Sequence, residues 1–409
     1  MRAQSIPFAA ERDAEIFASL PAAPAVFLVR SEPASEPYIA KTADLRRRMA
    51  RLLGPLEPGV KRLNLRERCR EIQFTLTGSD FESRLLLFQA VRQSFPRDYR
   101  ERLKLRGTPL IKLNLENPYP RAYFTRRMAK LRSPSRYYGP FPSRAAAEKF
   151  LNAALDFFKM RRCDFELVPD PSFPGCIYSE MKMCLAPCFK GCSDEDYDDE
   201  VRRVRDFLDT RGASLLRELE RQREAASERL QFEEASALHA RMEKVRGMLG
   251  SVMLPEAVHE ISQFNAMIVQ RSAMPAGAML FRVAAATIQP PIEFSPESAT
   301  AQGVSGSGAR KPYSMESRLA EALAQAAQAA PKSAAELNDH LALLKRWYYS
   351  SRRQGEIFFA DGRGEFPLRR LVRGIGRVLK GEKPEGSDTE EAHRAYWLAR
   401  TRGDQADSG

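Results

Sequence analysis

Apolar positions recur along this chain with a period of two in some stretches and of three to four in others, and the change of period divides it into parts. Residues 25–29 (Ala-Val-Phe-Leu-Val) and 72–76 (Ile-Gln-Phe-Thr-Leu) read as strands, while 43–53 and 79–93 carry the spacing of helices. Together they predict a small mixed α/β domain over residues 15–105. Residues 106–192 are rich in Pro and Gly with little periodicity, so this segment is expected to have little material for a core.

Beyond Cys192 the pattern turns helical. Ser193 stands in capping position before Asp194, Glu195 and Asp196, acids that favour a helix N-terminus, and Tyr197, Val201, Val204 and Leu208 line one face. Two apolar seams follow within this helical region of residues 193–250: Leu215, Leu219, Ala226 and Leu230, then Ala235, Leu238, Met242, Val245 and Leu249. They predict an antiparallel helical hairpin over residues 212–249, with Phe232 at or near its tip. Residues 251–380 are expected to form a C-terminal α+β region. Its middle is a loop rich in Ser, Gly and Ala over 295–312, followed by an Ala-rich helix around 319–330. A helix opened by the capping box of Ser333 and Glu336 follows, with Leu341, Leu344 and Trp347 on one side, and then a β-hairpin over 356–366 that turns at Asp361 and Gly362. Residues 381–409 are charged and weakly periodic and are expected to be disordered. The fold class is a multidomain α+β protein.

Charge sharpens this picture because it is localised. The chain has 65 Lys and Arg against 53 Asp and Glu, a formal net charge of +12, yet residues 92–136 alone hold thirteen basic and three acidic residues. Aromatics interleave with them: Phe95, Tyr99, Tyr119, Tyr123, Phe124, Tyr137 and Tyr138. Basic groups for phosphates beside aromatic faces for bases point to nucleic acid, with Arg126, Arg127, Lys130 and Arg132 as contacts. The alternative is a solvated basic surface whose aromatics belong to the core. The opening residues lack the apolar run of a signal peptide and no stretch approaches a membrane span, so a cytoplasmic protein without a membrane partner is expected.

Candidate chemistry centres on cysteine. Cys163, Cys176, Cys184 and Cys188 are separated by twelve, seven and three residues. In a reducing compartment clustered thiols are metal ligands more often than disulfides. The spacing lacks the close paired cysteines of zinc knuckles and suits a [4Fe–4S] cluster, with zinc or free core thiols as alternatives. Cys192 could substitute as a ligand but reads better as a buried neighbour, and Cys69 reads as structural. The four histidines are scattered and no Gly-rich phosphate loop is present.

Three motifs carry a resemblance: residues 137–143 (Tyr-Tyr-Gly-Pro-Phe-Pro-Ser), the cysteine series ending Cys184-Leu-Ala-Pro-Cys188, and residues 230–235 (Leu-Gln-Phe-Glu-Glu-Ala) in the turn of the helical pair. Their order resembles the UvrC family, the dual-incision subunit of the bacterial excision-repair nuclease, over roughly residues 20–250. The resemblance implies that the four cysteines hold a [4Fe–4S] cluster. It also implies that the hairpin is a UVR domain docking a UvrB-type helicase subunit, with Phe232 and Leu238 at the contact, and that DNA is the other partner. Beyond residue 250 the resemblance is weak, and no counterpart of the family's RNase H-like nuclease or helix-hairpin-helix units is expected.

The first domain resembles a GIY-YIG nuclease whose site is degraded. Its two triplets fall on Ala25-Val26-Phe27 and Tyr38-Ile39-Ala40, with Lys41 and the helix arginine Arg48 retained. Phe27 lacks the hydroxyl of the first tyrosine and cannot relay a proton. The register of the metal-binding glutamate falls on Leu87, which offers no oxygen to a hard cation, and that of the asparagine falls on Tyr99. Tyr38, Lys41 and Arg48 then remain as a phosphate-binding remnant, Lys41 and Arg48 contacting DNA. The expected function is a DNA-binding excision-repair protein with a silent nuclease. An active single-site endonuclease using Mg²⁺ and a displaced ligand such as Glu82 or Asp80 is the alternative. A nucleic-acid-binding or redox-sensing adaptor outside repair is a second.

Overall fold

The structure, a computed structural model, describes residues 4–31, 35–56, 59, 61–252, 258–295, 314–325 and 330–384. The N-terminal part contains β1 (Gln4–Pro7), α1 (Asp13–Ser19), β2 (Ala25–Arg30), β3 (Tyr38–Thr42), α2 (Leu45–Leu53), β4 (Glu71–Leu76), α3 (Asp80–Ser94) and α4 (Tyr99–Arg102). Its strands form one antiparallel sheet in the order β1-β4-β2-β3. Alternation places Phe27, Val29, Ile72 and Phe74 in a core closed by Met49 and Leu52 of α2. The helix starts follow the sequence signals: Asp44 accepts from Arg47 N, and Ser79 from Glu82 N.

Next come β5 (Leu110–Asn114), β6 (Arg121–Thr125), β7 (Arg136–Gly139), α5 (Arg144–Leu155), α6 (Ile177–Glu180), α7 (Asp194–Asp209), α8 (Ala213–Glu228) and α9 (Phe232–Val252). The expectation of a core-poor segment is corrected here. Ile111 and Leu113 of β5, Phe150 and Leu151 of α5, Tyr197 and Phe207 of α7, and Leu215, Met242 and Val245 of the hairpin share one large core. The signal was weak because the strands are only four or five residues long and share their core with helices as much as a hundred residues away or more. Ser193 caps α7 as expected, accepting from Asp196 N while the Asp196 carboxylate reaches back to Ser193 N. In the hairpin the seam is corrected at one place: Leu230 sits in the turn at φ 61° and is 72% exposed.

The last described part holds β8 (His259–Glu260), β9 (Ala266–Arg271), β10 (Ala278–Ala284), β11 (Thr287–Ile288), β12 (Ile292–Phe294), α10 (Met315–Gln325), α11 (Ala334–Tyr348), β13 (Glu356–Phe359) and α12 (Leu368–Lys380). β8 joins the preceding sheet, in the order β6-β5-β7-β8, and the remaining strands run β11-β10-β9-β13 with β12 on β10. The expected β-hairpin at 356–366 is not formed. β13 pairs instead with β9, and Asp361 closes a turn by accepting from Arg363 N and Glu365 N, each at 2.9 Å. The loop expected at 295–312 falls almost wholly outside the described residues, as do residues 326–329 of the Ala-rich stretch and the tail beyond residue 384.

α3 joins the first and last parts. One side contacts β2 and β3, and the other sends Phe81 against Phe281 at 5.0 Å and Trp347 at 5.3 Å between ring centres. A helix buried on two sides loses its amphipathic stripe, which accounts for the run Leu85-Leu86-Leu87. α11 then locks onto α3 and α4 through Arg92 with Glu336 at 2.8 Å and Asp339 with Arg100 at 2.8 Å and Tyr99 at 2.6 Å.

Candidate functional site

The cysteines lie on the irregular segment between α5 and α7. Leu185 N donates to Lys159 O at 3.0 Å and Asp170 N to Cys188 O at 2.8 Å, so the three stretches carrying the thiols are tied together. Tyr197 of α7 anchors the base, its hydroxyl accepting from Arg161 N and donating to Pro120 O. Around the last two cysteines the chain coils through left-handed Lys182, Ala186 and Lys190, and Ala186 N points at Cys184 Sγ at 3.3 Å.

Burial pushes up the thiols of Cys163, Cys184 and Cys188, that of Cys184 to about 11, and each also feels its neighbours in the group. Cys192 differs: after burial, Asp196 and Asp194 act on it before Cys188 does, and it packs against the core of α5 and α7. Cys69 is 1% exposed in the N-terminal core, its thiol raised to about 12 by desolvation.

Arg161 bears on what the thiols hold, and sequence reasoning passed over it. It is 1% exposed, its Nη1 lies 3.6 Å from Cys163 Sγ and 3.2 Å from Phe165 O, and its Nε is buried without a hydrogen-bond partner. No carboxylate pairs with it among the described residues. A buried guanidinium keeps its proton and requires a compensating anion. Four thiolates around an iron–sulfur cluster would supply net negative charge at that place, and a backbone N–H donor to sulfur, such as Ala186 N, would suit such ligands. Among the described residues no three Cys, His, Asp or Glu side chains could hold one metal ion. A cubane has no need of that convergence, because each cysteine binds a different iron. The signal available in the sequence was the Arg161-Arg162 pair directly before Cys163.

In the N-terminal part the nuclease-like positions have definite partners. Phe27 of β2 faces Ala40 across the ladder, is 1% exposed, and packs 6.1 Å from the Tyr38 ring. Arg48 Nη2 donates to the Tyr38 hydroxyl at 3.0 Å, while its buried Nε has no partner. Asp80 is held by both Lys41 and Arg84; burial opposes its ionisation, but these two hydrogen bonds prevail and keep the carboxyl below its ordinary range. Glu82 is buried and accepts from Gly78 N at 2.8 Å, closing the start of α3, and desolvation raises its carboxyl. Leu87 is half-buried. Tyr99 hydrogen-bonds Asp339 of α11.

The basic strip is assembled on β5, β6 and their flanks. The expected base-stacking aromatics are corrected at Phe95, Tyr137 and Tyr138, which are core residues. Tyr123 and Phe124 instead lie under Arg121 and Arg144, and Tyr119 donates to Asp194. Arg126, Arg127 and Arg132 are exposed, and Lys130 stands 3.7 Å from Glu116. On the hairpin, Phe232 is 67% exposed beside Leu230, whereas Leu238 is half-buried against the core.

These parts define a class: a multidomain α+β protein in which a cysteine-bearing loop segment and a helical hairpin share one core. A family profile for the UvrC/Cho excinuclease middle domain matches residues 108–207, and one for the UvrB/uvrC motif matches residues 213–247. The chain is similar to the UvrABC system protein C of Carboxydothermus hydrogenoformans, with 30% identity over 222 residues, 54% of this chain and 36% of that one. The counterpart from Alkalilimnicola ehrlichii is 31% identical over 212 residues, 52% of this chain and 34% of that protein. The one from Syntrophus aciditrophicus is 29% identical over 235 residues, 56% and 37% of the two chains. The chain is therefore UvrC-like through its middle domain and hairpin motif, and the match spans about a third of the length of these relatives. No solved structure matches it. Among the described residues no helix is long and apolar enough to cross a membrane.

Proposed function

We propose that this chain is a DNA-binding protein of nucleotide excision repair whose GIY-YIG-like N-terminal unit no longer cuts. The tandem of a UvrC-type middle domain and a UvrB/uvrC motif, folded into one core, carries the reading. Against catalysis stand Leu87 in the register of the metal ligand, Glu82 engaged as a helix cap, and Asp80 already paired with two cations. With Glu82 and Asp80 engaged in this way, neither supplies a ligand for Mg²⁺ or the charge stabilisation that a metal contributes to phosphodiester cleavage. Tyr38 and Arg48 remain as a phosphate-binding pair.

Cys163, Cys176, Cys184 and Cys188 would hold the [4Fe–4S] cluster. When bound it cross-links a loop segment with few regular elements and balances Arg161.

The hairpin tip would dock a UvrB-type helicase subunit. Leu230 and Phe232 expose apolar surface on a support whose base is fixed in the core, so their burial by a partner costs little ordering. Phe232→Ala is expected to weaken binding of that subunit about tenfold or more, as for an aromatic anchor, with the melting temperature unchanged. Binding measured by calorimetry checks this, and equal affinity of the two proteins would remove the hairpin from the interface.

A further inference from the structure

The exit of β6 and the N-terminal half of α11 enclose a cavity of about 490 Å³, lined by Arg100, Arg106, Arg126 and Arg127 on one side and by Ala335 and Asp339 on the other. Its charge is unbalanced. Among the described residues Asp339 is the only acidic group in the lining, and it is taken by Arg100, Nε at 2.8 Å, and by the Tyr99 hydroxyl at 2.6 Å. Arg106, Arg126 and Arg127 have no carboxylate partner among the described residues. Behind them Lys345 is half-buried; burial lowers its ammonium pKa, and Arg106 and Arg126 lower it further. Like charges crowded along one cleft, with Lys345 half-buried behind them, repel one another, and a bound anion would relieve that repulsion.

The arrangement is also fixed. A Cβ on Gly107 would come within 2.6 Å of Arg126 O, so glycine lets the segment bearing Arg106 lie against the one bearing Arg126. Asn338 of α11 pairs reciprocally with Met128, accepting from its N and donating to its O, both at 2.9 Å. The first turn of α11 faces the same space, and its N–H groups favour an anion.

We propose that this cleft is a phosphate-binding site built jointly by the middle domain and α11, taking a backbone phosphodiester or a free phosphate group. Occupancy by a duplex rests on the DNA-binding function proposed above, whereas binding of inorganic phosphate does not.

Two variants of the full chain test it. Ala335→Glu places a carboxylate at the mouth on an exposed position of the first helical turn, where an acid favours the helix. Arg126→Gln removes one cationic group from an exposed position. Inorganic phosphate, followed by ³¹P line broadening, is expected to bind saturably to the unmodified protein and about tenfold more weakly to Ala335→Glu, the effect of one close like-charge contact. If the natural occupant is a DNA phosphate, each variant also lowers the slope of log affinity against log salt for a 30-base-pair duplex by about 1, and phosphate competes with the duplex. If it is a free phosphate, duplex affinity of Ala335→Glu stays unchanged while its phosphate binding weakens about tenfold. Absence of saturable phosphate binding, together with unchanged duplex affinity in both variants, would overturn the site.

Discussion

Replacement of Cys184 by serine is expected to turn brown, anaerobically purified protein colourless and to remove about four iron atoms per chain. The loss extends beyond colour. The loop around Cys184 and Cys188 passes through three left-handed non-glycine residues, Lys182, Ala186 and Lys190, each opposed by roughly 1–2 kcal/mol of local strain. Arg161 would also remain buried beside Cys163 without its counter-charge. The variant should therefore melt earlier and expose residues 156–192 to protease, while Cys192→Ser, whose thiol faces Asp194 and Asp196, keeps iron and stability. Metal analysis and limited proteolysis read both effects. Stoichiometric zinc without iron would show that the four cysteines serve a different metal.

The second large effect is expected far from the cysteines. Trp347 of α11 is 4% exposed and meets Phe81 of α3, so Trp347→Ala empties a site shared by the N-terminal and C-terminal parts. Large-to-small changes of this kind cost about 3–5 kcal/mol. Urea unfolding should show that loss, and α3 should become protease-sensitive along with α11, because Phe81, Leu85 and Phe88 of α3 share one core with Trp347. A cost below about 0.5 kcal/mol, as for a surface substitution, would mean that the two parts fold independently.

Local chemistry was legible in the sequence and distant pairing was not. Ser79, Ser193 and Ser333 each cap the helix that their spacing announces, because a cap is decided within four residues. At the last of these the box is only half made: Glu336 reaches Lys332 N and Arg92 rather than the backbone of Ser333. The hairpin seams were readable for the same local reason, except at Leu230, where a left-handed turn carries the side chain out to solvent. The middle sheet was missed because its strands are short and their burial comes from α5 and α7. The pairing of β13 with β9 was missed because an Asp-Gly turn looks the same whether a return strand follows or not. Of the candidate site, the cysteine series was visible in the sequence as a spacing. Arg161 was passed over despite the Arg161-Arg162 pair before Cys163, and Asp339 and Lys345 gave no sign, since burial of a charged residue is decided by distant packing.

The position of Leu87 gains meaning from its surroundings. On the proposed GIY-YIG reading a neighbour could stand in for the ligand missing at Leu87, yet Glu82 and Asp80 are both committed, one to Gly78 and the other to Lys41 and Arg84. The most direct measurement is incision of a lesion-bearing duplex by the unmodified chain, with the UvrB-type subunit proposed as its partner added, in Mg²⁺ and in EDTA, with DNA binding followed in parallel. Equal duplex affinity in the two solutions, and no Mg²⁺-dependent strand cleavage, is the predicted result. Mg²⁺-dependent incision that disappears in Arg48→Ala would contradict it and show that the N-terminal unit is a working nuclease.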